Sequence, residues 1–481
     1  MKLAELQPQE VWSNFEKLCQ IPHPSQNLKG ICDYVEKIGK DLGLVTRRDI
    51  AGNILIRKPA TKGYEHLKMV CLQAHLDMVP QKNAEMVFDF KKDAVKPRID
   101  GEWVKATNTT LGADNGIGVA TILSILQSTT IEHGPLEALF TTDEEIGMLG
   151  SFALKPDVLQ SDILINLDSE QEGELIIGCA GGIVLNTKVR YQEEQPYDED
   201  IAVKVTIKGL QGGHSGIDIH LQRANANKLM ARFLRSAIVD CEARLSSVSG
   251  GDLHNAIPRE ATAVISIPSE SFSDLQELCN TWTDVFRSEF AMDDSLVILL
   301  QKLDEPVPLM PEMVQDDVVN ALVACPNGVI RYSNEIPSLV ETSCNLSVVS
   351  SKKGEVSAQI SIRSLRESMK ENITNVVESI FSLAGAMIEY EGDYSAWTPA
   401  MNSPILDICK HIYTKQMGRS PEVKAIHAGL ECGIIGSLYP NLDMISFGPT
   451  IKHPHSPNEK VEIKTVENFW NILKEVLKSI N

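Results

Sequence analysis

The stretch KMVCLQAHLDMVP, residues 68–80, decides how the rest of the chain reads. Residues 68–74 form an apolar run of strand length, the pattern of a strand covered on both faces. The run ends at His75-Leu76-Asp77, where an imidazole and a carboxylate two residues apart project to the same side. Two later runs end the same way: residues 136–141 lead into Asp143-Glu144-Glu145, and residues 163–167 lead into Asp168. Further strand-like runs at 53–57 and 175–178 alternate with helical spacing at 9–20, 26–43 and 116–127. Buried strands alternating with helices predict a three-layer α/β domain with a mostly parallel sheet. Ligands on such sheets collect where strands end, which puts His75, Glu144 and Asp168 along one edge.

At 481 residues the chain exceeds the size at which one core stays efficient, so two or more domains are expected. It carries 45 basic against 65 acidic residues, net −20, without a basic stripe. That balance excludes nucleic acid and anionic membrane as partners. The N-terminus lacks an apolar core of signal-peptide length, and no run approaches the roughly 20 residues of a membrane span. Ten scattered cysteines include no C-x-x-C pair and predict no disulfide framework. Together these features predict a cytoplasmic protein.

The rhythm changes near residues 186–200, where RYQEEQPYDED (190–200) is polar and charged. A strand at 201–207, a helix at 223–237 and a strand at 262–267 follow. Strands at 346–349 and 356–362 with a helix at 370–383 echo that order weakly, suggesting two α/β sandwich units. From about residue 396 the first rhythm returns, with a helix at 404–417, a strand at 442–447 and a helix at 466–480. The expected organisation is therefore one domain built from 1–187 and 397–481, interrupted by an inserted domain at 188–396. Surface loops tolerate such insertions.

If one sheet edge gathers His75, Asp77, Asp114, Glu144, Glu145, Asp168 and His455, five carboxylates and two imidazoles share a pocket. Two ionised carboxylates about 4 Å apart repel by roughly 4 kcal/mol at an effective dielectric near 20. Such a cluster calls for cations, and two divalent metals would satisfy it. Each motif alone has a plainer reading. Gly112-Ala113-Asp114-Asn115-Gly116 reads as a glycine turn with an Asp N-cap, and Asp143-Glu144-Glu145 as a solvated acidic turn. In the inserted segment, His214 lies between glycines and reads either as a flexible turn or as an imidazole that polarises a carbonyl. Asn255 carries no signal of its own; Arg363 would suit a carboxylate. No G-x-S-x-G, P-loop, catalytic cysteine context or H-E-x-x-H appears.

Taken together, HLDMVP, GADNG, DEEIG and HSPNE resemble, in order and spacing, the di-zinc exopeptidase family of carnosinases, aminoacylase-1, carboxypeptidase G and bacterial di- and tripeptidases. The resemblance spans the whole chain, including the segment HAGLECG at 427–433. It implies a three-layer α/β/α catalytic domain with an inserted α+β lid domain. It further implies two divalent ions, zinc first, with cobalt or manganese able to share such ligands. By that likeness His75 and Asp168 hold one ion, Glu145 and His455 the other, and Asp114 bridges them. Asp77 orients His75, and Glu144 is the general base. His214, Asn255 and Arg363 bind substrate, and the family histidine matching His214 often acts across a homodimer built through the lid. The implied reaction is hydrolysis of short unblocked peptides, chiefly Xaa-His and β-alanyl-histidine. Tripeptidase or N-acyl-amino-acid deacylase activity on the same site is the alternative, and a non-catalytic binding module on the same fold the remote one.

Overall fold

A computed structural model of the chain describes residues 3–480. The chain divides into two compact units: Met1–Cys179 with Trp397–Ala425 and Leu430–Asn481, and Ala180–Ala396 with Ile426–Gly429.

The first unit is built on an eight-stranded sheet. Its middle is parallel: Leu136–Thr141, Val70–His75, Ile163–Asn166 and Asp443–Ser446 lie side by side in that order. Antiparallel strands flank them, with Ile54–Lys58 and Val45–Arg48 on one edge and Glu174–Cys179 on the other side. Alternation along the strands separates two helical layers. Val70, Leu72 and Ala74 face a large core shared with helices Gln9–Cys19, Ala113–Gln127, Pro404–Met417 and Ile463–Ser479. Helix Ala113–Gln127 is apolar on every side, with Ile117, Ile122, Leu123 and Ile125 all buried, as a helix within a core must be. Gln73 and His75 point to the opposite face, where the short helices Leu149–Ala153 and Glu431–Leu438 lie. The three-layer α/β/α arrangement expected from the sequence is the one observed. A separate four-stranded sheet joins Arg98–Asp100, Trp103–Lys105, Lys460–Glu462 and Ile451–Lys452.

The second unit differs from the expected pair of sandwiches. Its nine-stranded sheet is continuous, in the order Val297–Lys302, Asp200–Lys208, Ala261–Pro268, Arg244–Gly250, Val340–Lys352, Glu355–Ser364, Gly181–Arg190 and Met387–Tyr394. Gly328–Tyr332 pairs with Val340–Lys352 off this path. Both groups of strands that echo each other thus extend one sheet, because Gly250 pairs with Val349 and joins them. Helices Ala226–Asp240, Phe272–Glu289, Glu312–Ala324 and Glu367–Leu383 bury their apolar stripes in this unit's own core. Ile426–Gly429 belongs here because the Ala180 N–H donates to the carbonyls of Ile426 and Ala428. Among the described residues no helix is long and apolar enough to cross a membrane. All ten cysteines are buried and unpaired.

Candidate metal centre

In the first unit the parallel strands end where the sequence places its acids. His75 is the last residue of its strand, and its Nδ1 faces the Asp77 backbone carbonyl at 3.1 Å. That contact keeps the proton on Nδ1 and turns Nε2 toward the site. Nε2 lies 3.2 Å from Asp114 Oδ1 and 3.3 Å from Asp168 Oδ1. On the far side of Asp114, Oδ2 stands 3.1 Å from His455 Nε2, which is also 3.0 Å from Glu145 Oε2. Asp114 therefore offers one oxygen to each imidazole.

These spacings fit shared cations. Two atoms each about 2.0–2.1 Å from a tetrahedral zinc lie roughly 3.3 Å apart. The triads His75–Asp114–Asp168 and Asp114–Glu145–His455 each gather ligand atoms within 4.8 Å. Glu145 Oε1 is buried and has no hydrogen-bond partner, an arrangement that a bound ion would resolve.

The electrostatics tell the same story. Burial disfavours a charged His75, yet the Asp168 charge and the Asp114 hydrogen bond raise its pKa well above the usual histidine range. Hydrogen bonds that His455 donates to Asp114 and Glu145 push its pKa up to about 11. Burial opposes ionisation of Asp114, but its bonds to His455 and His75 hold it below the usual carboxylate range. Burial lifts Asp168 to about 6 and raises Glu144 well above the ordinary value, with neighbouring acids adding to the effect on both. Protons shared between imidazoles and carboxylates thus hold positions that divalent cations can take.

Asp77 works on both sides of the centre. Burial opposes its charge, but bonds from His75, Ser25 and the Glu144 amide lower its pKa. Its Oδ1 accepts the Glu144 N–H at 3.0 Å and its Oδ2 the Glu145 N–H at 3.1 Å. One carboxylate therefore fixes the backbone of both glutamates beside the imidazole it faces.

Glu459, in the quoted HSPNE motif, has a role that the sequence reading missed. Its Oε2 accepts the N–H groups of Leu111 and Gly112, and its Oε1 those of Ala113 and Asp114, at 2.7–3.2 Å. This buried carboxylate shapes the turn that presents Asp114. Burial, helped by the Asp114 charge, raises its pKa to about 7, with the N–H bonds from Gly112, Asp114 and Leu111 pulling the other way.

The second unit holds a polar cluster of its own. His214 pairs with Ala256 on a two-stranded ribbon, next to Asn255, whose carbonyl accepts the Ser215 N–H at 2.8 Å. His214 Nδ1 accepts N–H bonds from Gly216 at 3.1 Å and Ile217 at 3.0 Å, which leaves Nε2 as the donor. Burial, then the Arg363 charge, lowers its pKa to about 4, so the ring is neutral. Arg363 donates from Nη1 to Tyr394 Oη at 2.6 Å. His427 also belongs to this cluster and was missed, although it opens HAGLECG; its Nε2 is 2.7 Å from Ser343 Oγ. A side chain on Gly216 would collide with the His427 carbonyl and crowd His214 Cε1 and Arg363 Nε, so glycine alone lets the three converge.

An open α/β sheet whose strand ends, together with the turn at Asp114 and the loop carrying His455, gather two imidazoles and five carboxylates defines the class of metal-centred α/β hydrolases. Residues 71–479 match the model of Peptidase family M20/M25/M40, and the chain belongs to that family. Over 480 residues it is 45% identical to the cytosol non-specific dipeptidase of Escherichia coli, covering 100% of this chain and 99% of that protein. The crystal structure of aminoacylhistidine dipeptidase from Vibrio alginolyticus superposes with a TM-score of 0.92 at 44% identity, covering 100% of this chain and 98% of that one. The aminopeptidase PepT of Bacillus cereus shares the fold at TM-score 0.59 and 15% identity, covering 99% of each chain.

Proposed function

We propose that this protein is a two-metal dipeptidase acting on short unblocked peptides, with Xaa-His and β-alanyl-histidine among its best substrates. The observation that carries the reading is Asp114, whose two oxygens face His75 on one side and His455 on the other. His75 and Asp168 would hold one ion, Glu145 and His455 the second, and Asp114 both. When bound, two divalent ions, zinc by this reading, would supply a more acidic water near neutral pH and an electrophile for the peptide carbonyl. Glu144 takes the proton from the attacking water and delivers it to the leaving amine. Its buried, acid-rich surroundings raise its proton affinity, which suits a group that must hold that proton between the two steps. In the second unit, His214 donates from Nε2 and Arg363 offers its guanidinium, groups suited to a peptide carbonyl and a C-terminal carboxylate. Asn255 stands beside His214 as a third substrate contact.

The dipeptidase names of the Escherichia coli and Vibrio relatives support this substrate class, and the cytosol name of the first supports a cytoplasmic site of action. We further propose a homodimer formed through the inserted unit as a lid, which sedimentation would test directly.

The deciding experiment is hydrolysis of a dipeptide panel, with and without C-terminal histidine, by zinc-loaded protein beside a chelated control. Chelator-sensitive cleavage with Xaa-His among the fastest substrates is the expected result. Metal-dependent cleavage confined to tripeptides or N-acyl amino acids would replace the substrate, and hydrolysis indifferent to chelation would overturn the mechanism.

A further inference from the structure

Beneath the metal ligands runs a row of polar side chains that the proposed chemistry does not use. Gln73, Asn166 and Ser446 sit on three adjacent parallel strands and are direct register partners. Thr141 stands beside them on the fourth strand, opposite His75. Polar side chains inside buried parallel strands are costly unless they bond to one another. Here they do, in a single direction. Ser446 Oγ donates to Asn166 Oδ1 at 2.5 Å, and Asn166 Nδ2 donates to Gln73 Oε1 at 2.6 Å. Gln73 Nε2 donates to Glu431 Oε2 at 2.6 Å and to Thr141 Oγ1 at 3.1 Å. Thr141 Oγ1 donates to the same Glu431 oxygen at 2.8 Å, and Ser151 Oγ donates to Glu431 Oε1 at 2.5 Å. At the other end, Ser169 Oγ lies 2.8 Å from Ser446 Oγ and supplies the proton that Ser446 cannot.

Gln73, Thr141, Ser151, Asn166, Glu431 and Ser446 expose no surface at all. Glu431 is thus a sealed acceptor that receives three donors and gives none. Its place in the row sets which way each amide faces. Gln73 must turn its NH2 to Glu431 and its carbonyl to Asn166, and Asn166 must then offer its carbonyl oxygen to Ser446 and to the Asp168 N–H, which it receives at 3.2 Å. The chain of bonds therefore ends on a backbone group of a metal ligand.

We propose that Glu431 is a positioning residue for the metal centre, acting through the Gln73–Asn166–Ser446 row rather than by touching metal or substrate. His75 lies two residues beyond Gln73, Asp168 two beyond Asn166, and Glu144 three beyond Thr141. The row locks the relative heights of the strand ends that carry these groups. Outer hydrogen bonds of this kind change metal affinity by about 10–100-fold when broken. The inference rests on the two-metal reading, and its test separates the two.

The test compares Glu431→Gln with Glu431→Met, measuring affinity for zinc ion by competition with a chromophoric chelator, then kcat and KM on a cleaved dipeptide. A glutamine keeps the bonds: its oxygen accepts from Gln73 and Thr141, while its NH2 meets Ser151 Oγ, whose hydroxyl can turn to accept. Methionine fills the space and keeps none. Glu431→Gln should bind zinc within about threefold of the parent, while Glu431→Met should weaken zinc by about 10–100-fold and lower kcat with KM within about twofold. Equal affinities for parent and Glu431→Met would overturn the inference. So would a loss in Glu431→Gln as large as in Glu431→Met, which would assign the effect to buried charge. Should Glu431→Met fail to fold, Ser446→Ala removes one hydroxyl at the far end of the same row. It should weaken zinc several-fold and lower kcat at constant KM, and parental values there would be equally fatal. A parent protein that bound no zinc would overturn the two-metal reading itself, and this inference with it.

Discussion

Glu144 and Glu145 are neighbours in sequence, and the proposed function gives them different work. Glu145 faces His455 at 3.0 Å, whereas Glu144 makes no such ion pair and is shifted chiefly by burial. Because Asp77 holds the backbone N–H of both, replacing the Glu144 carboxylate with an amide leaves the ligand beside it in place. Glu144→Gln should therefore retain two metals per chain by elemental analysis and lose about 10²–10⁴-fold in kcat. Substantial residual turnover would remove Glu144 from the role of base. A second residue-scale prediction concerns His427. Burial, then Arg363, depresses its pKa from 6.5 to about 3, so the folded protein keeps it neutral while the unfolded chain protonates it below 6.5. Between pH 6.5 and 3 the unfolded state binds the extra proton, so this residue's contribution to stability falls as pH falls and is constant above 6.5. Each tenfold difference in proton affinity is worth about 1.4 kcal/mol. His427→Gln, able to keep the bond to Ser343, should show a smaller drop in urea midpoint from pH 7 to 4.5 than the parent. Identical drops would refute the assignment. His427 stood in a quoted segment, but its meaning depends on a strand more than eighty residues earlier in the chain.

At the scale of elements, the strands were legible because parallel strands covered on both faces read as unbroken apolar runs. The acids that end them stood out for the same reason. The helix expected at 116–127 is the regular part of Ala113–Gln127, because Asp114 and Asn115 ahead of it depart from helical φ/ψ. That departure is what aims Asp114 at the imidazoles, and nothing in local propensity marks it. Helix Phe272–Glu289 escaped notice because its buried stripe is thin, with Leu275, Cys279 and Phe286 alone fully buried. The four-stranded sheet escaped because strands of two or three residues show no period. Gln73 and Asn166 were visible as amides within apolar runs, and a buried amide demands a partner; the partners, however, come from distant segments. The turn at 111–114 yields its own prediction. Four N–H groups converge on Glu459, and Glu459→Gln would set an NH2 against two of them. Each buried donor left unpaired costs about 1–3 kcal/mol. The variant should unfold at lower urea and bind zinc at least tenfold more weakly. Parental zinc affinity would show that the turn holds its shape without that carboxylate.

For the whole molecule, every proposed metal ligand belongs to the first unit although His455 lies 287 residues beyond Asp168. The insertion of Ala180–Ala396 separates them in sequence, while the parallel pairing of Ile163–Asn166 with Asp443–Ser446 brings the two segments together. By the two-metal reading, metal binding would close the longest loop in that unit, and its free energy would add to the stability of the sheet that joins both parts. At a free metal concentration 100-fold above Kd, each saturated site adds about 2.7 kcal/mol. For a unit of this size, that corresponds to roughly 5–10 °C in Tm per site. The tryptophans allow the effect to be read locally. Trp12, Trp103, Trp397 and Trp470 lie in the first unit and Trp282 in the second. In a Trp282→Phe variant the fluorescence transition reports the first unit alone. Its midpoint should rise with added zinc until both sites fill, then fall by the same amount after chelation. Replacing Asp114 with Asn should remove most of that shift, because both triads share this residue. A midpoint indifferent to zinc would mean that the ligand set closes without a cation, and the two-metal reading would fail at its base.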